Sequence, residues 1–390
     1  MQEIQSTHKT PGHLIEAALE KRDWTKKTLA IVIDLDEAAL NRIISAQRSI
    51  TADIALAMEE VLGIKAIELL ELQKNLDLAR ARIASKPDLE RSQRAKLYGD
   101  LKVSELLKRG WVEVRDPKDV SEISSSVERF FGMSQECLLN GGLNHAARKS
   151  QPLHEATITQ LAWIQRVKQI AASLNVPAYS EDKLERAISE LHSGFADPEF
   201  ISEVPRILHT AGVRYAVVET LPTAKIDGVC LWLEDREPVI GMSTRFDRID
   251  NFWFVLRHEI QHVLQGDGKD DPNGIWDTDA ELSPRNDALK DLPSCEKLAN
   301  KAATDFCIPT ASMDNFISEN NPYFSEKSLL SFSEALGVHP GLVAGQLQHR
   351  TDRHDRFRKH QIKIRPYLLK SATVDGWGSR PRTANQERDK

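Results

Sequence analysis

The run His258-Glu259-Ile260-Gln261-His262 lies in the stretch of this chain whose fold is least free to vary. No Pro or Gly interrupts the sequence from Ile249 to Gln265, and Ile249, Phe252, Trp253, Val255, Leu256, Val263 and Leu264 recur at helical spacing around the run. The pattern predicts an amphipathic helix that Gly266 ends and that Asp247 or Asp250 caps. Side chains four apart lie one above the other on a helix, so the His258 and His262 imidazoles can share one metal ion. Glu259, about a hundred degrees round the helix, can reach a water on that ion and act as its general base.

At 390 residues, 41% hydrophobic and 28% charged, the chain is a globular protein with room for two or three domains. The polar start, Met1 to Lys9, has no signal-peptide pattern, and no apolar run is long enough for a bilayer. Cys137, Cys230, Cys295 and Cys307 form no C-x-x-C pair and no disulfide framework, so a reducing cytoplasm is the expected setting. A net charge of −6 argues against a surface that binds nucleic acid all over, though not against a local patch.

Residues 1–83 read as an all-helical domain, with Thr25 and Asp36 as N-caps and Asp34 in the left-handed turn before the third helix. The set Pro11-Gly12-His13-Leu14-Ile15, Trp24-Thr25-Lys26-Lys27-Thr28-Leu29-Ala30, Leu40-Asn41-Arg42-Ile43-Ile44 and Ile50-Thr51-Ala52-Asp53-Ile54-Ala55-Leu56-Ala57 resembles the helix-turn-helix of HigA-type antitoxins, in the Cro/repressor-like XRE group. The resemblance implies operator binding, as a homodimer through this domain. Lys26, Lys27, Arg42 and Arg48 offer phosphate contacts, and Asn41 stands beside them. The recognition helix nevertheless begins Asp36-Glu37-Ala38-Ala39, and residues 1–83 carry eleven Lys/Arg against thirteen Asp/Glu. Because phosphate neutralisation supplies most non-specific affinity, a helical interaction or dimerisation module stays open beside DNA binding.

From 84 to 150 the chain reads as a polar helical connection closed by a surface joint at Lys149-Ser150-Gln151-Pro152. Within it, Leu106-Leu107-Lys108-Arg109-Gly110-Trp111 and Phe130-Phe131-Gly132 resemble the connecting segment of fusions between such helix-turn-helix domains and peptidase-like domains. Helices follow near 158–174 and 181–192. The period then changes to strands at 213–218, 228–233 and 238–242, the last two joined by the turn 234–237. The fold class is α+β: an all-α helix-turn-helix domain plus a mainly helical domain over 151–350 with a small antiparallel sheet. Residues 351–390, with eleven Lys/Arg against five Asp/Glu, read as a basic tail that ends in disorder around Gly376, Gly378 and Pro381.

A catalytic zinc site takes a third protein ligand and leaves a fourth position open. Asp267, Asp270, Asp271, Asp279 and Glu281 fall in a stretch from Asp267 to Asp291 that reads as an exposed acidic loop. Glu296 starts a helix whose other positions, Leu298, Ala299, Ala302, Ala303 and Phe306, are apolar and mostly small, which suits close packing on the histidine helix. Glu296 is therefore the expected third ligand, with the loop acids as alternatives. The segments Phe252 to His262, Glu296-Lys297-Leu298-Ala299-Asn300 and Phe306-Cys307-Ile308-Pro309 resemble the ImmA/IrrE family of metallopeptidases. So do Pro238-Val239-Ile240, Ser243-Thr244-Arg245 and the run His339 to Gln348, which extends the resemblance over about residues 150–350. It implies Zn2+ on His258, His262 and Glu296, Glu259 as the catalytic base, and a protein substrate. The resemblance further implies that this substrate is a repressor or toxin-antitoxin partner cut in a stress or phage response. Arg257 and Gln261 depart from the family pattern beside the site, and Tyr215, Arg245 and His339 stay open as oxyanion-stabilising groups. The rival expectation is a non-catalytic HigA-like antitoxin or repressor whose zinc domain only binds a partner.

Overall fold

The computed structural model describes residues 10–85, 88, 90–139, 156–278 and 292–381. They fall into two compact units, 1–89 and 90–390.

The described residues of the first unit form five helices: α1 (Pro11–Arg22), α2 (Lys26–Val32), α3 (Glu37–Ile44), α4 (Ala52–Leu62) and α5 (Ala66–Ala84). Thr25 Oγ1 accepts from Thr28 N at 3.1 Å and Asp36 Oδ2 from Ala39 N at 3.0 Å, so each cap satisfies a donor that its helix cannot. Asp34 takes the left-handed turn at φ 53° between α2 and α3. Ile15, Leu29, Leu40, Ile43, Met58 and Leu69 are buried in the shared core. At Gly12 a Cβ would stand 1.9 Å from the Ile44 carbonyl oxygen, so glycine there lets α1 close on α3.

In the second unit, α6 (Arg91–Gly99), α7 (Val103–Arg109), α8 (Val120–Phe131) and α9 (Gln135–Leu139) come first. They are followed by α10 (Ile158–Ser173), α11 (Glu181–Ser193), α12 (Val204–Thr210), β1 (Arg214–Val218), β2 (Ile226–Trp232) and β3 (Pro238–Met242). After these come α13 (Ile249–Gln265), β4 (Ile275–Thr278), α14 (Ser294–Cys307), α15 (Thr310–Asn320), α16 (Glu326–Leu336), α17 (Pro340–Thr351), α18 (Arg365–Leu368) and β5 (Thr373–Asp375). The strands order as β4-β2-β3-β1-β5. The β2–β3 hairpin and the β2–β4 pair are antiparallel, whereas β1 runs parallel to β3 and β5. The fold is α+β, with a mixed rather than an antiparallel sheet.

Both faces of this sheet are covered, which is why its strands read as apolar runs. Tyr215, Val217, Cys230, Trp232, Ile240 and Met242 face a core shared with Phe252, Trp253, Leu256 and Ile260 of α13. Ala216, Val218, Val229, Leu231 and Val239 face the other way, onto Trp163 and Val167 of α10 and onto Leu97, Leu106, Trp111 and Phe130.

Two boundaries expected from sequence, at 150/151 and at 350/351, are therefore corrected. Of the supposed connection 84–150, helices α6 to α8 supply one covering layer of the sheet, because their apolar faces share a core with α10 and β1. No separate domain starts at 151. The supposed tail also belongs to the unit: Ile364, Leu368 and Val374 enter the core and β5 pairs with β1. Asp375 is buried and ion-paired with Arg166, and Trp111 Nε1 donates to it at 3.1 Å. Gly376 and Ser379 form a β-bridge where disorder was expected. The joint at 149–152, the acids Asp279 and Glu281 and residues 382–390 lie outside the described residues.

Candidate metal centre

Helix α13 ends as its sequence predicts, with Gly266 left-handed at φ 71°, but it starts differently. Arg248 occupies the cap position, and its side chain makes no capping bond to the helix N-terminus. Asp247 instead accepts from the backbone N–H groups of Ile364 and Arg365 at 3.1 and 2.8 Å, and Asp250 forks with Arg248. The expected cap is thus spent on holding the C-terminal segment.

His258, Glu259 and His262 are fully buried and Glu296 is 3% exposed. Ala299 and Ala303 of α14 are likewise buried, and their small side chains let α14 lie close on α13; Leu298, expected in that contact, is exposed. His258, His262 and Glu296 offer ligand atoms that all lie within 4.8 Å of one another. The two Nε2 atoms are 2.9 Å apart, His258 Nε2 is 3.3 Å from Glu296 Oε2, and His262 Nε2 is 3.6 Å from Glu296 Oε1. Two donors bound tetrahedrally at about 2.0–2.1 Å from one ion stand roughly 3.3 Å apart, so the three separations bracket the span of a zinc site. Burial pushes the Glu296 carboxyl up, but the hydrogen bonds and charges of His258 and His262 outweigh it and hold the group well below the usual carboxylate range. Its place in the first turn of α14 favours the same anionic form. A buried, ionised carboxylate converging with two imidazole nitrogens is a donor set that fits zinc.

Among the loop acids, Asp267 has a place in the site that its sequence surroundings hid. After Gly266 the chain reverses so that Asp267 N donates to the His262 carbonyl at 3.0 Å and Gly266 N to that of Val263 at 3.1 Å. The turn returns the Asp267 carboxylate to the helix, with Oδ2 2.9 Å from His262 Nδ1 and 2.8 Å from Gln265 Nε2. A proton on Nδ1 facing that carboxylate leaves the Nε2 lone pair directed at the cluster. The helix-ending glycine was the available signal. Asp267→Asn is expected to weaken metal affinity about 10–100-fold, read by competition against a chromophoric chelator; unchanged affinity would remove Asp267 from the centre.

Glu259 faces β2. A Cβ on Gly228 would stand 1.9 Å from Glu259 Oε1 and 2.8 Å from its Cδ, so the carboxylate occupies the space a side chain would fill. The β2–β4 register shifts between Ile226 and Gly228, a bulge at Asp227. Arg245 clamps the Asp227 carboxylate at 2.7 and 3.3 Å, and Ser243 Oγ donates to the Ile226 carbonyl at 2.7 Å. Bulges re-aim a strand next to a site, and this one sets a glycine over the Glu259 carboxylate.

The remaining sequence candidates are engaged elsewhere. Tyr215 donates to the Met242 sulfur at 3.4 Å in the apolar core, Arg245 pairs with Asp227, and His339 Nδ1 accepts from Gly341 N at the start of α17. Arg257 donates to Gln261 at 2.9 Å and lies over the Phe306 ring, its pKa lowered by burial to about 10. In the first unit, Lys26, Asn41 and Arg42 line one concavity with His13 and Glu16. Lys26 pairs with Glu16 at 2.7 Å, whereas Lys27, Asn41, Arg42 and Arg48 are exposed, as are Glu37 and Ala38.

Residues 15–69 match the family described as Helix-turn-helix, and no curated protein matches the chain. The first unit is thus a helix-turn-helix domain, the fold of DNA-binding regulators of the XRE kind. No described helix is long and apolar enough to cross a membrane.

Proposed function

We propose that the second unit is a zinc-dependent peptidase acting on a partner protein, carried on one chain with a helix-turn-helix that binds operator DNA as a dimer. The observation behind the peptidase reading is the buried convergence of His258, His262 and Glu296, with the Glu259 carboxylate on the same helix beside them. Three protein donors are the number that leaves a catalytic position open. A zinc ion held there would lower the pKa of water to about 7 and polarise a peptide carbonyl. Glu259 accepts the proton of the attacking water and passes it to the leaving amine nitrogen as the C–N bond breaks. Asp267 keeps His262 in the required tautomer. The substrate class, a repressor or toxin-antitoxin component, rests on the family resemblances of the sequence, and the cytoplasmic setting on its cysteine usage.

Glu259→Gln keeps the volume of the base and removes its proton affinity. Cleavage of the co-encoded partner is expected to fall about 10²–10⁴-fold while zinc content stays near one per chain. A wild-type chain that holds zinc yet leaves that partner intact under inducing conditions identifies instead a non-catalytic antitoxin or repressor.

For the first unit, the exposed Arg42 carries the DNA reading, and the exposed Ile31 and Ile67 supply apolar surface for a dimer. In mobility shifts on the chain's own promoter, Arg42→Ala is expected to weaken binding and reduce the salt slope by about 1. A dimer that never shifts the promoter assigns the unit to dimerisation alone.

A further inference from the structure

We propose that the dimer inferred above for the first unit, on which this proposal rests, forms through one outward stripe of α5, packed antiparallel on the same stripe of a second copy. Exposed large hydrophobic side chains concentrate in this unit. Six of the eleven among the described residues, Ile31, Val32, Leu56, Ile67, Leu78 and Ile83, belong to it, although it is much the smaller of the two units. Three of the six lie on α5. Leu69, Leu72 and Gln73 turn α5 onto its own core, so Ile67, Glu71, Lys74 and Leu78, spaced as a single stripe, face away from it. Ile67 is 64% and Leu78 48% exposed. Glu71 and Lys74 between them are exposed and make no ion pair among the described residues. From Asp77 to Ala84 every residue is exposed, so the last two turns of α5 run past the core that orders the first three. A helical end without packing is marginal in water, and a second copy supplies that packing.

The stripe is self-complementary about one midpoint. With a two-fold axis between Leu72 and Gln73, Ile67 meets the partner's Leu78 and Glu71 meets the partner's Lys74. Each contact then occurs twice, as an isologous interface requires. A parallel pair would instead set Glu71 against Glu71 and Lys74 against Lys74, and like charges at close quarters repel. The charge order therefore selects both the occupant and its direction.

Sedimentation velocity of the full-length chain over a concentration series is expected to show a reversible dimer. Glu71→Lys and Lys74→Glu each place like charges opposite one another twice, and each is expected to weaken dimerisation about tenfold or more. Both positions are exposed, and circular dichroism confirms that the variants fold. An equimolar mixture of the two variants, and a chain carrying both substitutions, are expected to recover the wild-type dimer, because each restores an acid opposite every lysine. A dimer that neither single substitution weakens overturns this surface while leaving dimerisation itself standing. No recovery in the mixture or in the doubly substituted chain overturns the antiparallel pairing. A wild-type chain that stays monomeric overturns the dimer reading together with the proposal.

Discussion

Replacing Glu296 by Gln is expected to strip the chain of its metal while leaving it folded. The amide keeps the volume of the buried side chain but removes the charge that converges on His258 and His262 at 3.3 and 3.6 Å. Structural zinc sites bind with about 10–16 kcal/mol, so losing one of three protein donors should cost roughly 3 kcal/mol or more, at least a hundredfold in affinity. Zinc measured after dialysis should drop from near one per chain to near zero. Asp270→Asn, in the neighbouring acidic stretch and exposed, should change nothing. If the Glu296 variant keeps its zinc and the Asp270 variant loses it, the ligand set has been assigned to the wrong carboxylate.

Gly228→Ala is expected to separate catalysis from metal binding. Gly228 lies in β2, paired with Met242 of β3 and Asp277 of β4, and its backbone needs no left-handed geometry. The cost of a methyl group there is steric and falls on Glu259, whose Oε1, Cδ and Cγ would lie 1.9, 2.8 and 3.0 Å from it. The carboxylate can swing away, so folding should lose only about 1–3 kcal/mol, as overpacked cores do. A base displaced by about 1 Å loses roughly 10²-fold in rate. Zinc at one per chain, a modestly lowered melting temperature and a hundredfold fall in kcat would mark Gly228 as the residue that positions the base. A loss of stability with kcat unchanged would make it merely a packing glycine.

The sequence carried the parts of this centre that depend on periodicity or on a local cap. Apolar spacing placed α13 and its end at Gly266, and Thr25, Asp36 and Asp34 announced the helix-turn-helix through their own backbone chemistry. Glu296 was legible because small side chains on one helix face imply a close neighbour. What stayed hidden is long-range. Asp267 looked like one acid among many until the turn after Gly266 brought it back beside His262. Gly228 carries no local signal, since its place against Glu259 comes from a bulge and from a helix some thirty residues further on. The edge strands β4 and β5 are four and three residues long, too short for alternation to mark them against a polar background. The stretch 97–131 read only as part of a polar helical connection, so neither its buried face nor the partner of that face, the far side of the sheet, was visible.

The most direct test of the three-donor centre is X-ray absorption at the zinc edge on chain purified with zinc. The account predicts a first shell of nitrogen and oxygen only, at about 2.0–2.1 Å, including two imidazoles. Sulfur at about 2.3 Å, or a zinc shell without imidazole, would contradict it.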